Sequence, residues 1–204
     1  MPRRPDTRAR ILEASTRLFA ARGVDATSMR DIATAVDITE GAVYRHFVGK
    51  EDLVREIFAT HFRALGAAMA ERAARAATLR DKIHAMVHAC CALYDANEPV
   101  FRLLLLSQHR EIARLPRDAG NPVVVVSTAI EDAIARREIP SRNVRLLTAY
   151  FFGLLTEPAE IRLYGATAEP MRALADDIAD AIWTVLARKR GRDAAPLGTR
   201  APPA

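Results

Sequence analysis

Cysteine is almost absent from the chain: among 204 residues only Cys90 and Cys91 occur. Neighbouring residues point about 100° apart on a helix, so the pair is poorly placed for an intrachain disulfide, and nothing in the cysteine usage asks for an oxidising compartment. Glycine is scarce too, at 9 residues, and hairpin signals are missing, which argues against an all-β fold. Lysine is rarer still, since Lys50, Lys82 and Lys189 are the only lysines among 30 basic residues. Apolar runs such as 122–126 fall far short of the roughly 20 residues a membrane-spanning helix needs, so no membrane partner is expected. The opening Met-Pro-Arg-Arg-Pro-Asp leads into a charged stretch without the apolar core of a signal peptide. A cytoplasmic protein is the expectation.

What is present suits a folded domain. Half of the residues are apolar and 27% are charged, enough for a core and a solvated surface. The net charge of +5 favours a polyanionic partner without specifying one. Apolar residues recur with helical spacing almost throughout, and the fold class is read as all-α. The β-like run 123–126 leads into Ala129, Ile130, Ala133 and Ile134, so it reads as the start of a helix. Helices are predicted from Asp6 to Gly23, with Ile11, Leu12, Leu18 and Phe19 inward, then after Ser28, after Thr39, and from Lys50 towards Ala76. Further helices are predicted over 79–96, 99–112, 121–137, 143–164 and 170–190, and the tail 191–204, rich in Pro, Gly and Ala, is expected to be disordered.

Residues 27–50 carry the densest signal. Ser28 and Asp31 have the spacing of a capping box, and Asp31 suits the positive end of a helix dipole. Asp37 falls where this helix must break, and aspartate tolerates the left-handed backbone of such a turn. Thr39 then caps a second helix of about two turns. Two short helices joined by a tight turn over about 27–46 make a helix-turn-helix, whose second helix enters a DNA major groove. Val43 and Phe47, four apart, would seat that helix. Its other face offers Glu40, Ala42, Tyr44, Arg45 and His46. Tyrosine and histidine can bond phosphates there, and arginine and histidine can reach guanine edges. Lys50 opens the next helix, where its ammonium and free backbone N–H groups could converge on a phosphate.

The run Gly41-Ala-Val-Tyr44-Arg-His46-Phe47-Val-Gly-Lys50-Glu-Asp-Leu53 resembles the signature of the TetR family, Gly-x-Leu/Val-Tyr-x-His/Tyr-Phe-x-x-Lys-x-x-Leu. Ile11-Leu12-Glu13-Ala14, Leu18-Phe19, Gly23 and Thr27-Ser28-x-Arg30-Asp31-Ile32-Ala33 agree with it as well, so the resemblance covers roughly residues 6–62. It implies a helix-turn-helix domain over 1–50 and a helical effector-binding and dimerisation domain over 51–190. By position it implies DNA contacts from Ser28, Arg30, Thr39, Glu40, Gly41, Ala42, Tyr44, His46 and Lys50. Two positions depart from the pattern: Asp37 stands where the turn usually has glycine, and Gly49 where serine is common. The function implied is a transcriptional regulator, a repressor released from operator DNA by a small molecule.

The C-terminal half is less explicit. The resemblance implies that the last two helices pair with their copies in a homodimer, with Leu147, Leu154, Leu174, Ile178, Ile182 and Val185 as interface candidates. The remaining helices would enclose an effector cavity, with Met86, Cys90, Tyr94, Phe101, Leu105, Tyr150, Phe151 and Glu157 as lining candidates. Such a lining suits a lipophilic or aromatic effector. Glu157 could meet a cationic ligand, or lie on the surface beside a helix break at Pro158. His84, His88 and Cys91, at i, i+4 and i+7, put three metal-capable groups on one helical face, although solvent-facing histidines explain the same spacing. No nucleophile elbow, phosphate loop, HExxH or CxxC occurs, so no catalytic residue and no cofactor is expected. An activator or a metal-responsive regulator on the same fold, or a metal-dependent hydrolase built on those histidines, are the competing readings.

Overall fold

The computed structural model describes residues 6–188, and among them all regular structure is helical. The elements are α1 (Thr7–Arg22), α2 (Met29–Ala35), α3 (Glu40–Tyr44), α4 (Lys50–Ala73), α5 (Leu79–Ala96), α6 (Glu98–Glu111), α7 (Pro122–Ala135), α8 (Val144–Leu163) and α9 (Ala175–Ala187). Short 3-10 turns at Ile112–Arg114 and Met171–Ala173 follow α6 and precede α9. The expected tail at 191–204 lies outside the described residues.

Most helices begin where a side chain accepts an orphan backbone N–H. Asp6, Ser28, Thr39, Thr78, Asn97, Asn121 and Asn143 each cap the helix that follows them. The four valines 123–126 do open α7, behind Asn121 and Pro122. Helix α8 matches the helix predicted over 143–164, and Pro158 does not break it. It sits inside the helix, which continues to Leu163 and closes at Gly165. There the left-handed glycine (φ 75°) lets the Ala166 N–H reach the Ile161 carbonyl at 3.0 Å. One proline removes a single backbone bond, and the packed inner face of α8 outweighs that loss.

Packing divides the interior into two main cores and a smaller cluster of Phe58, Phe62, Val100 and Leu104 between α4 and α6. Ile11, Phe19, Ile32, Val43, Phe47 and Leu53 centre the N-terminal core. Met86, Ile130, Leu147, Phe151, Ile178 and Ile182 centre the larger core between α4, α5, α7, α8 and α9. Helix α4 belongs to both, because Leu53 and Ile57 lie in the first and Met69 and Ala73 in the second. Leu103 of α6 reaches into the N-terminal core, a second link that periodicity did not show.

Candidate nucleic-acid interface and effector cavity

The head is built on two caps and one strained turn. The Ser28 hydroxyl accepts the Asp31 N–H at 3.1 Å, while Asp31 accepts the Ser28 N–H at 2.8 Å, a reciprocal capping box. The Ser28 hydroxyl and N–H hold the Asp31 carboxyl below the usual carboxylate range. Helix α2 ends with Asp37 at φ 55°, and the Ile38 N–H then reaches back to the Ala33 carbonyl at 3.1 Å. This is a left-handed helix cap made by aspartate in place of glycine. Thr39 accepts the Ala42 N–H at 3.2 Å and starts α3 at once.

Helix α3 buries Val43 completely, with Phe47 just beyond its end. That anchoring turns Glu40, Gly41, Tyr44, Arg45 and His46 outward, all exposed, with Ala42 half-buried. Ser28 and Arg30 at the start of α2, and Thr39, are exposed too. A shallow surface depression is bordered by Ser28, Glu40, Tyr44, Lys50 and Arg55. Arg55, one turn into α4, had no sequence signal that set it apart. Hydroxyls, a phenol, amide groups and cations on one open surface can bond phosphates and base edges.

Lys50 departs from a freely exposed phosphate ligand. It is half-buried, and its ammonium donates to the carbonyls of Val24 at 2.9 Å and Asp25 at 3.3 Å. The side chain therefore closes the α1–α2 loop onto the start of α4. Gly49 supplies no side-chain cap, but Asp52 accepts the Val48 N–H at 3.3 Å from within the first turn. The Arg8 guanidinium pairs with Glu56 and lies 4.9 Å over the Phe47 ring. Arg110 of α6 reaches Glu51 at 3.3 Å.

Behind the head, α4 to α8 line a half-open cavity of about 1320 Å³. Five of the sequence candidates line it: Cys90, Tyr94, Phe101, Leu105 and Glu157. Three do not. Met86 and Phe151 are packed into the larger core, and Tyr150 lies on the surface. The cavity face of α8 is instead Thr148, Phe152 and Thr156, spaced by fours, while Phe151 turns a quarter-turn away into the core. From α4 come Phe58, Phe62 and Leu65, which sequence reasoning missed because they also read as ordinary core. Polar and charged side chains line the cavity as well, among them His109, Arg117, Glu131, Arg145 and Glu160. Gln108 donates to Glu160 at 3.2 Å, and the buried Thr148 hydroxyl has no hydrogen-bond partner among the described residues. Burial pushes both cysteine thiols up, Cys91 to about 11, which keeps them neutral.

The structure places two further sets of candidates. Cys91 is buried in the core while His84 and His88 stay partly open, so the three do not share a ligand face. Of the interface candidates, Leu147, Ile178 and Ile182 are in the chain's own core, and Leu154, Leu174 and Val185 are part-buried beside it. The apolar side chains that α8 turns outward are Leu146, Tyr150 and Ile161. No helix among the described residues is long and apolar enough to cross a membrane.

Residues 11–57 match the family of bacterial regulatory proteins described as the tetR family. The HTH-type transcriptional regulator AcrR of Shigella flexneri is 47% identical over 53 residues, 26% of this chain and 25% of that protein. The chain thus matches its curated relatives over about a quarter of their length. The regulator FadR from Bacillus subtilis, crystallised with stearoyl-CoA, superposes with a TM-score of 0.71 at 18% identity, over 85% of this chain and 96% of its own. The TetR-family regulator PfmR from Thermus thermophilus does so with a TM-score of 0.66 at 24% identity, over 85% and 96%. The fold extends across both halves, and the sequence likeness is concentrated in the head. Residues 11–57 are thus similar to the tetR family of bacterial regulatory proteins, and the remainder of the chain shares its fold with solved regulators.

Proposed function

We propose that the protein is a sequence-specific DNA-binding transcriptional regulator of the cytoplasm, a homodimeric repressor released by a small molecule held in the α4–α8 cavity. The observation that carries this is the outward face of α3. Val43 and Phe47 are sealed in the core while Tyr44, Arg45 and His46 stand exposed beside Arg30 and the caps Ser28 and Thr39. A helix this short reads half a site, so two copies must act together. The outward Leu146, Tyr150 and Ile161 of α8 are an apolar stripe suited to a second copy.

Release follows from shared walls. Phe58 and Phe62 of α4 and Leu104 of α6 line the cavity, while Leu53 of α4 and Leu103 of α6 lie in the head's core. A ligand that displaces those helices moves the head with them. The 24-residue α4 spans about 36 Å, so a small tilt at the cavity shifts the opposite end. Aromatic and aliphatic walls interspersed with polar and charged side chains suit an amphiphilic ligand with a lipophilic body and a polar end. The likeness to a regulator crystallised with stearoyl-CoA supports that class.

The test is retention of genomic duplex fragments by immobilised full-length protein, followed by elution with a panel of acyl, steroid and aromatic amphiphiles. Retention of a few sequences, and their release by one ligand class, is the expected result. Indiscriminate retention would remove the specific regulator, and release by none of the panel would remove the lipophilic effector.

A further inference from the structure

Two histidines of α5 and two aspartates of α9 converge where these helices pack. His84 and His88 are one turn apart and their rings lie 6.4 Å from one another. The Nε2 of His88 is 2.9 Å from Asp176 Oδ1, and the Nδ1 of His84 is 3.5 Å from the same oxygen. One ligand atom from each of His84, His88 and Asp176 falls within 4.8 Å of the other two. In a tetrahedral zinc site with bonds of about 2.0–2.1 Å, ligand atoms stand roughly 3.3–3.4 Å apart. Small rotations of exposed side chains would close the difference.

The surroundings are those of a metal-bound histidine. The other nitrogen of His84, Nε2, lies 3.2 Å from Asp180 Oδ1, and that oxygen is held at 3.0 Å by Arg80. A carboxylate that accepts the far N–H of an imidazole fixes its tautomer and raises its basicity as a ligand. Arg80 pairs with Asp180 and not with Asp176, so the carboxylate facing both histidines stays available. The relevant side chains are open to water, at 28% for His84, 44% for His88 and 75% for Asp176, so an ion can enter and keep a water.

We infer that His84, His88 and Asp176 form a binding site for a divalent transition-metal ion of the zinc class, with Asp180 orienting His84. Two imidazoles and one carboxylate suit zinc and its neighbours, whereas magnesium and calcium take oxygen ligands. The ion bridges α5 to the first turns of α9. At 100° per residue Asp176 and Asp180 lie on the flank of α9 opposite Leu174, Ala181 and Val185. None of His84, His88 and Asp176 lines the cavity or the surface depression beside α3.

Calorimetric titration of the full-length chain with zinc alone, and with magnesium alone, tests this. The expected result is a single zinc per chain at micromolar concentration or below, a higher unfolding temperature with zinc, and neither effect with magnesium. His88→Ala and Asp176→Ala should each weaken zinc by about 100-fold or more, and Asp180→Asn by about 10-fold, the range that loss of an outer partner costs. Cys91→Ala should leave zinc affinity unchanged. These aspartates and histidines are exposed enough that circular dichroism should show all three variants folded. No zinc uptake, or uptake unaltered by His88→Ala and Asp176→Ala, would overturn the assignment.

Discussion

At the scale of single residues, Tyr44 and Lys50 separate two kinds of contribution that sequence position alone would merge. Tyr44 is half exposed and projects from a helix anchored by other residues. Tyr44→Ala should lower DNA affinity and leave the unfolding midpoint within the range of a surface change, about 0.5 kcal/mol. Lys50 holds two carbonyls of the α1–α2 loop. Lys50→Ala should weaken DNA binding and also destabilise the fold by about 1–3 kcal/mol, the cost of losing two charge-assisted bonds, the one to Val24 part-buried. Urea unfolding of both variants checks this, and equal midpoints would mean the Lys50 contacts carry no stability. Both residues were legible as a pair from their motif. Their difference was not, because Val24 and Asp25 meet Lys50 only after α1 and α4 have packed.

At the scale of elements, α4 carries two consequences of its own sequence. Gly66 has no room for a side chain: a Cβ there would stand 2.1 Å from the Gly120 carbonyl oxygen and 3.0 Å from the Pro122 ring. The loop cannot easily yield, since Asn121 caps α7 and also donates to the Pro116 carbonyl at 3.0 Å. Gly66→Ala should cost about 1–3 kcal/mol, as overpacking does, while Gly120→Ala, whose Cβ would be 3.4 Å from its nearest neighbour, should cost less. Thermal unfolding of the two variants, side by side, reads the difference; equal stabilities would show a compliant loop.

Half-burial pushes the His61 imidazole below its ordinary value of 6.5. The folded chain then holds that proton less tightly than the unfolded chain. Its contribution is fully present above about pH 6.5 and is lost as pH falls through the lower folded value, below which the dependence flattens. His61→Gln should remove that part of the pH slope, measured by urea unfolding at pH 7.5 and at successive steps down to 5. An unchanged slope would place the titration elsewhere. Helix starts such as Ser28, Thr78 and Asn143 were readable because a cap is a local event. The inward faces of α8 and α9 were not, since the burial of Leu147 and Ile182, and not of Leu146 and Ala181, depends on how α8 packs on α7 and α9, and α9 on α5.

At the scale of the whole molecule, the account is that two heads, each held by α4 and α6, must match two half-sites at once. Half-sites should lie about 34 Å apart or a multiple of it. Affinity should fall steeply with salt, because every neutralised phosphate releases counterions. Operator and effector must oppose one another by the same factor, typically about 1–3 kcal/mol of coupling. The head was legible residue by residue because its likeness to relatives is local and dense, whereas the cavity is made by five helices and shows itself only once they are assembled.

Selection of duplexes from a randomised pool by the full-length protein, repeated with Tyr44→Ala and Arg30→Ala, tests the central claim most directly. The account predicts enrichment of one pseudopalindrome with half-sites at helical-turn spacing, bound by a dimer in sedimentation, and its loss in both folded variants. Enrichment of no sequence, or the same palindrome recovered undiminished by both variants, would contradict it.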